Sequence, residues 1–339
     1  MNNIIKSENK NINIGIQLLR TILSFNIVVF HCLDNKFNTK YIYFFCLMGV
    51  KYYVPTFFVI SSYFSYKTFS SKNIIKLKER LLRIIIPYTI WPFIIWFKYS
   101  FISGWNGLED NNKFKILFYQ LLIGKPFLPV FWFHFCLIFW SIFFTILVLI
   151  LKYTYNYILI LLIILSVNIN YFDYINILFK GIKDIILVAI KDLFKTIVYM
   201  VFGFFLGSKS ILKRKIEIKI KIILISLINC LMINQSINKR KLFSLQILFI
   251  SNIIFISFST IPFEFIKNKN INSFLKQLTG FSGGIYYLHW EIKFRLMKSF
   301  ILIKKGDFLS CIIIYLICYS FSFIMYNLFK NTKLKYMFI

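Results

Sequence analysis

Apolar runs of about twenty residues recur from one end of this chain to the other, and each can cross a bilayer as a helix. Hydrocarbon offers the backbone no hydrogen-bond partners, so segments of this kind satisfy their own amides and fold as helices. Reading the runs against charge gives ten spans, at 14–33, 42–66, 84–102, 128–151, 157–175, 185–207, 220–235, 243–262, 279–300 and 307–329. The stretch 114–123 is amphipathic and reads as a helix lying in the membrane interface. Composition agrees: 59% of residues are hydrophobic, where a soluble domain averages about 45–50% apolar. The expected fold is all-α, a polytopic membrane helix bundle of about ten transmembrane helices. Residues 1–339 form a single domain, because no loop is long enough to fold separately.

The net charge of +29 would point to nucleic acid in a soluble protein. Here the basic residues sit in short segments between apolar runs, where they set topology and meet anionic lipid. Membrane lipids are therefore expected partners, and nucleic acid is not. If the N-terminus is inside, the inner segments are 67–83, 209–221, 267–276 and the tail beyond 329, and they hold the larger share of basic residues. Lys239-Arg240-Lys241 is the discordant cluster. Both termini are expected on the cytoplasmic side of the cell (plasma or inner) membrane. The six cysteines form no CxxC and no zinc spacing, so no metal site is read from them. The polar first 13 residues followed by a spanning run argue against a cleavable signal peptide.

Within the first run stand two ionisable residues, Arg20 and His31, eleven positions apart. At ~100° per residue, eleven steps return to within about 20° of the start, so both lie on one helix face, roughly 16 Å apart along the axis. Ionisable groups are costly in hydrocarbon, and an aligned pair marks a functional track through the membrane interior. His31 is the member able to exchange a proton near neutral pH. At the start of the third span, Arg80 and Arg83 share a face three residues apart. Two guanidiniums there suit a phosphate-rich ligand, although basic residues also belong at cytoplasmic helix ends for topology alone.

Three further clusters read either way. His134, in Phe131-Trp132-Phe133-His134, fits an interfacial aromatic belt without chemistry. His289, mid-span after Gly283-Gly284, is either a hydrogen-bonding strut between helices or a catalytic group. Glu291 is costly to bury and has Lys293 or Arg295 at hand as a partner. Lys191, Asp192 and Lys195 form a similar cluster, in which Asp192 and Lys195 can neutralise each other. Buried pairs of this sort also occur in transporters, so a polytopic glycan or lipid transporter or flippase is the rival class. That class does not account for arginines gathered at one mouth with a histidine three turns above an aligned arginine.

Taken in order, these motifs resemble the acyltransferase-3 family of integral-membrane acyltransferases. The family's first helix carries an arginine, ten residues and a histidine, as Arg20 and His31 do. Its second helix reads like PLFFxISGYL, matched by Pro55-Thr-Phe-Phe-Val-Ile-Ser61-Ser62-Tyr63-Phe64, with Ser62 where the family has glycine. An RxxRIxxPY-like element is matched from Arg80 to Tyr88, a WFL-type motif by Phe131-Trp132-Phe133, and SxGIYLxH from Ser282 to His289. The resemblance implies transfer of an acyl group, usually acetyl from acetyl-CoA as co-substrate with no resident cofactor, to a hydroxyl of a cell-surface polysaccharide or lipid-linked glycan. Such a hydroxyl is a poor nucleophile, and His31 is the candidate general base. Arg20, Arg80 and Arg83 would hold the coenzyme phosphates, with Ser61, Trp132, His289 and Glu291 in support. If a helix backbone approaches at Ser62, its side chain is expected to loosen the contact. The acceptor's identity and the oligomeric state are not legible.

Overall fold

The computed structural model describes residues 14–32, 40–70, 74–98, 100, 110–124, 131–151, 184–208, 244–259, 280–299 and 308–338. Among the described residues there are nine α-helices and no strand: α1 (Ile14–Cys32), α2 (Lys40–Ser70), α3 (Ile74–Phe97), α4 (Asp110–Ile123), α5 (Trp132–Leu151), α6 (Asp184–Ser208), α7 (Ser244–Ser259), α8 (Ser282–Ser299) and α9 (Phe308–Phe329). A short 3-10 helix, Lys333–Met337, follows. Eight of these helices fall on eight of the ten expected spans, and α4 falls on the amphipathic stretch. The expected spans 157–175 and 220–235 lie outside the described residues.

Three of the described helices are long and apolar enough to cross a membrane, over Gly15–Cys32, Ile75–Phe97 and Phe308–Phe329. Among the described residues, then, three of the expected ten spans meet that measure of length and apolarity. Over α6 the chain carries Lys191, Asp192 and Lys195, and over α8 Glu291, Lys293, Arg295 and Lys298, which lower the apolarity of both. Apolar side chains nevertheless point outward along α3, α5 and α9: Phe93, Ile94, Ile142, Ile146, Leu316 and Ile324 are all exposed. A water-soluble bundle would turn polar groups outward at such positions, whereas a lipid-facing one turns out Phe and Ile. The protein is a membrane protein.

The helices meet in three apolar clusters. The largest joins α1, α2, α5, α6 and α7 through Leu19, Phe58, Val59, Phe144, Met200, Phe204 and Phe255. A second joins α1 to α8 and α9 through Val28, Val29, Ile285, Cys311 and Ile314. A third ties α3 and α5 to α8 through Tyr88, Ile95, Phe131 and Tyr287.

Close approach is set where α2 meets α6. A Cβ on Gly203 would stand 2.9 Å from Val59 Cα and 3.0 Å from Ser62 Cβ, so only glycine fits. Ser62 is fully buried, and its hydroxyl donates to the Met200 carbonyl of α6. A helix backbone therefore does approach at Ser62. The glycine that permits it is supplied by the facing helix.

Candidate active site

Arg20 and His31 both face α8, so the shared face read from their spacing is real. Arg20 Nη2 donates to Ser282 Oγ at 2.8 Å, and Lys293 Nζ donates to the backbone carbonyl of His31. Ser282 and Lys293 are themselves eleven residues apart. The two helices thus run parallel in one register, each contact joining residues 262 apart in sequence.

The His31 ring lies in an aromatic box at the end of α1. It stacks on the His289 ring at 5.1 Å between centroids and 30° between planes, and meets the Trp290 edge at 5.4 Å. His289 is fully buried. Its Nδ1 lies 3.2 Å from the Ile285 carbonyl four residues back, and its Nε2 has no hydrogen-bond partner among the described residues. Lys293 stands over the Trp290 ring at 5.5 Å while capping the last turn of α1. Carbonyls at a helix C-terminus lack intrahelical partners and carry the negative end of the dipole, so an ammonium is well placed there.

At the other end of the same track are the three arginines. Arg80 Nη2 donates to the Ser61 carbonyl of α2, and Arg80 Nε is buried without a partner among the described residues. Arg83 is exposed, with its guanidinium over the Tyr336 ring at 5.6 Å. Arg20, Arg80 and Arg83 lie close enough to feel one another's charge. An ion pair is found elsewhere, between Lys98 and Glu291. Among the described residues no carboxylate is bonded to these three guanidiniums, an arrangement whose charge suits a polyanion.

Residues 13–327 match the family model described as an acyltransferase domain, Acyl_transf_3. The chain belongs to the acyltransferase-3 family. No curated protein and no solved structure matched it. The protein is accordingly an acyltransferase, and its apolar helices place it in a membrane.

Not every candidate residue joins the track of this acyltransferase. Ser61 contributes its backbone carbonyl, which also accepts from Ser65 Oγ at 2.9 Å. Trp132 packs on Phe58 and lines a cavity of about 170 Å³ with Val54, Asp192, Lys195, Thr196 and Tyr199, away from the imidazole pair. Glu291, for which Lys293 or Arg295 was the expected partner, pairs with Lys98 just beyond the end of α3, while Lys293 donates to the His31 carbonyl. The side chain of Arg295 lies outside the described residues. His134 is not part of a lipid-facing belt. It is buried, its ring 4.5 Å from Tyr287 and 5.2 Å from Tyr286, because α5 turns this face toward α8.

Lys293 and Trp290 escaped the sequence reading as site residues. The available signal was the second eleven-residue interval, Ser282 to Lys293, which mirrors Arg20 to His31.

Proposed function

We propose that this acyltransferase moves an acyl group, acetyl by the family's usage, from acyl-CoA to a hydroxyl of a cell-surface polysaccharide or a lipid-linked glycan. The observation that carries the reading is the parallel pair α1 and α8, with three guanidiniums at one end and two stacked imidazoles at the other. Coenzyme A is a thioester on a flexible arm attached to a nucleotide rich in phosphate. The arginine end suits the phosphates, by charge and by the bidentate geometry of guanidinium. The arm then runs along the track toward His31, which is about 16 Å along the helix from Arg20.

In this scheme neutral His31 takes the proton from the acceptor hydroxyl as its oxygen attacks the thioester carbonyl. The tetrahedral adduct collapses with loss of the coenzyme thiolate, which receives that proton from the imidazolium. Stacked on His31, His289 fixes the plane of its ring, and Lys293 fixes the helix end that carries it. With both termini cytoplasmic in the plasma membrane, the arginine end meets the cytosolic donor and the imidazole end meets an acceptor toward the outer face.

Membranes carrying the protein, incubated with labelled acetyl-CoA and extracted surface glycan, test this directly. Label should enter the glycan, and His31→Ala should lower the rate by about 10²–10⁴-fold, the usual contribution of a general base, with the amount of protein in the membrane unchanged. Substantial turnover by His31→Ala would remove that residue from the chemistry. Movement of unlabelled glycan across the bilayer without His31 would instead select a transporter.

A further inference from the structure

Residues 330–338 lie beyond the matched family domain, which ends at residue 327. They nevertheless fold back into the bundle. Thr332 caps the 3-10 helix, its hydroxyl accepting from the Leu334 amide at 3.2 Å. Trp91 Nε1 of α3 donates to the Met337 carbonyl at 3.2 Å, two turns inside the start of the apolar part of that helix. Phe338 is buried, stacked on Phe329 with 8° between planes and edge-on to Trp91 at 6.0 Å. Gly284 of α8 leaves the space for it, since a Cβ there would stand 2.8 Å from the Phe338 carbonyl oxygen and 3.0 Å from its Cα.

This docking delivers Tyr336 and Lys335 to the arginine end of the track. Tyr336 is buried, with the Arg83 guanidinium 5.6 Å from its ring centre and the Lys335 ammonium also at 5.6 Å. A cation over an aromatic face is held electrostatically without neutralising its charge. A carboxylate would hold Arg83 as firmly but would cancel the charge a phosphate needs. Tyr336 therefore fixes two cations in place and leaves both available to an anion, beside Arg20 and Arg80.

We propose that this C-terminal segment is the inner wall of the donor vestibule, with Lys335 and the Tyr336-held Arg83 gripping the phosphates at the nucleotide end of coenzyme A. The inference rests on the acyl-CoA reading above and assigns to that reading a binding element outside the family domain.

Two donors separate the contributions: acetyl-CoA, and S-acetylpantetheine, which has the thioester and arm but no adenosine phosphates. Full-length protein in membranes is assayed with each, as wild type, Tyr336→Leu, Tyr336→Phe and Lys335→Ala. Tyr336→Leu and Lys335→Ala should raise KM for acetyl-CoA by roughly threefold to thirtyfold, the range a partly desolvated cation–aromatic contact spans. Tyr336→Phe keeps the ring and should restore the wild-type KM. KM for S-acetylpantetheine should not move in any of them. Met337 and Phe338, which anchor the segment, are left intact, and the half-exposed Lys335 is a second site where misfolding is not at issue.

An unchanged KM for acetyl-CoA in both variants, or an equal rise with both donors, would overturn the proposal. If that happens while Arg80→Ala still raises KM for acetyl-CoA, only the role of the tail falls. If wild type transfers nothing from acetyl-CoA, the donor reading falls and takes this one with it.

Discussion

Replacing Gly203 by alanine should loosen the α2–α6 contact, and the size of the effect follows from the geometry. The new Cβ would meet Val59 Cα at 2.9 Å and Ser62 Cβ at 3.0 Å, where ordinary contact begins near 3.4 Å. Two of the groups it meets, Val59 Cα and the Val59 carbonyl, are backbone and cannot rotate aside. Relief requires the helices to part by about 0.5–1 Å, a gap that forfeits a quarter to a half of each dispersion contact along the interface. The parting also stretches the buried bond from Ser62 to the Met200 carbonyl. Overpacking of this kind costs about 1–3 kcal/mol.

Gly280 is the internal control, because among the described residues a Cβ there meets nothing within 4 Å. Gly280→Ala should be neutral or stabilising by about 0.4–1 kcal/mol through the entropy of the unfolded chain. Reversible unfolding of both variants in a membrane mimetic measures the difference, and transfer activity should follow the stability of Gly203→Ala. If Gly203→Ala matches wild type to within about 0.5 kcal/mol, or if Gly280→Ala is the worse of the two, the account of α2–α6 packing is wrong.

Other outcomes follow from the site. Lys98→Met removes the ion-pair partner of a partly buried carboxylate, so it should destabilise more than the double variant Lys98→Met/Glu291→Met, with a coupling of about 1–3 kcal/mol in a double-mutant cycle. Additive effects would show the pair to be without energetic weight. Lys293→Met frees the last turn of α1 and should lower kcat at an unchanged KM for acetyl-CoA, with Lys293→Arg keeping most of the activity. A rise in KM alone would place Lys293 on the donor instead. Ser282→Ala removes a hydrogen bond to a charged group, of about 1.5–3 kcal/mol, from Arg20. It should raise KM for acetyl-CoA more than it lowers kcat, which initial-rate kinetics over a range of donor would reveal.

The clearest inference from residue order alone was that Arg20 and His31 share a face. Helix periodicity is a local property, so an eleven-residue interval carries it regardless of what packs alongside. The same holds for the membrane class and for the helices at eight of the expected positions, since apolar run length is written directly in the chain. The family could be read because its motifs are short and contiguous, as in Arg80 to Tyr88.

Partners across helices are another matter. Glu291 has cations two and four residues away in sequence, yet it pairs with Lys98, 193 residues distant, while Lys293 turns to the His31 carbonyl. His134 has the neighbours of an interfacial belt, and is buried because α5 turns it inward against Tyr286 and Tyr287. Whether Ser62 spoils a close contact depends on Gly203, 141 positions later. Composition and periodicity say which face of a helix is special, but the rotation and register of one helix against another come from packing between residues far apart in the chain. That packing also brings the tail, which the sequence marked only as a basic inner segment, against Arg83 through Tyr336.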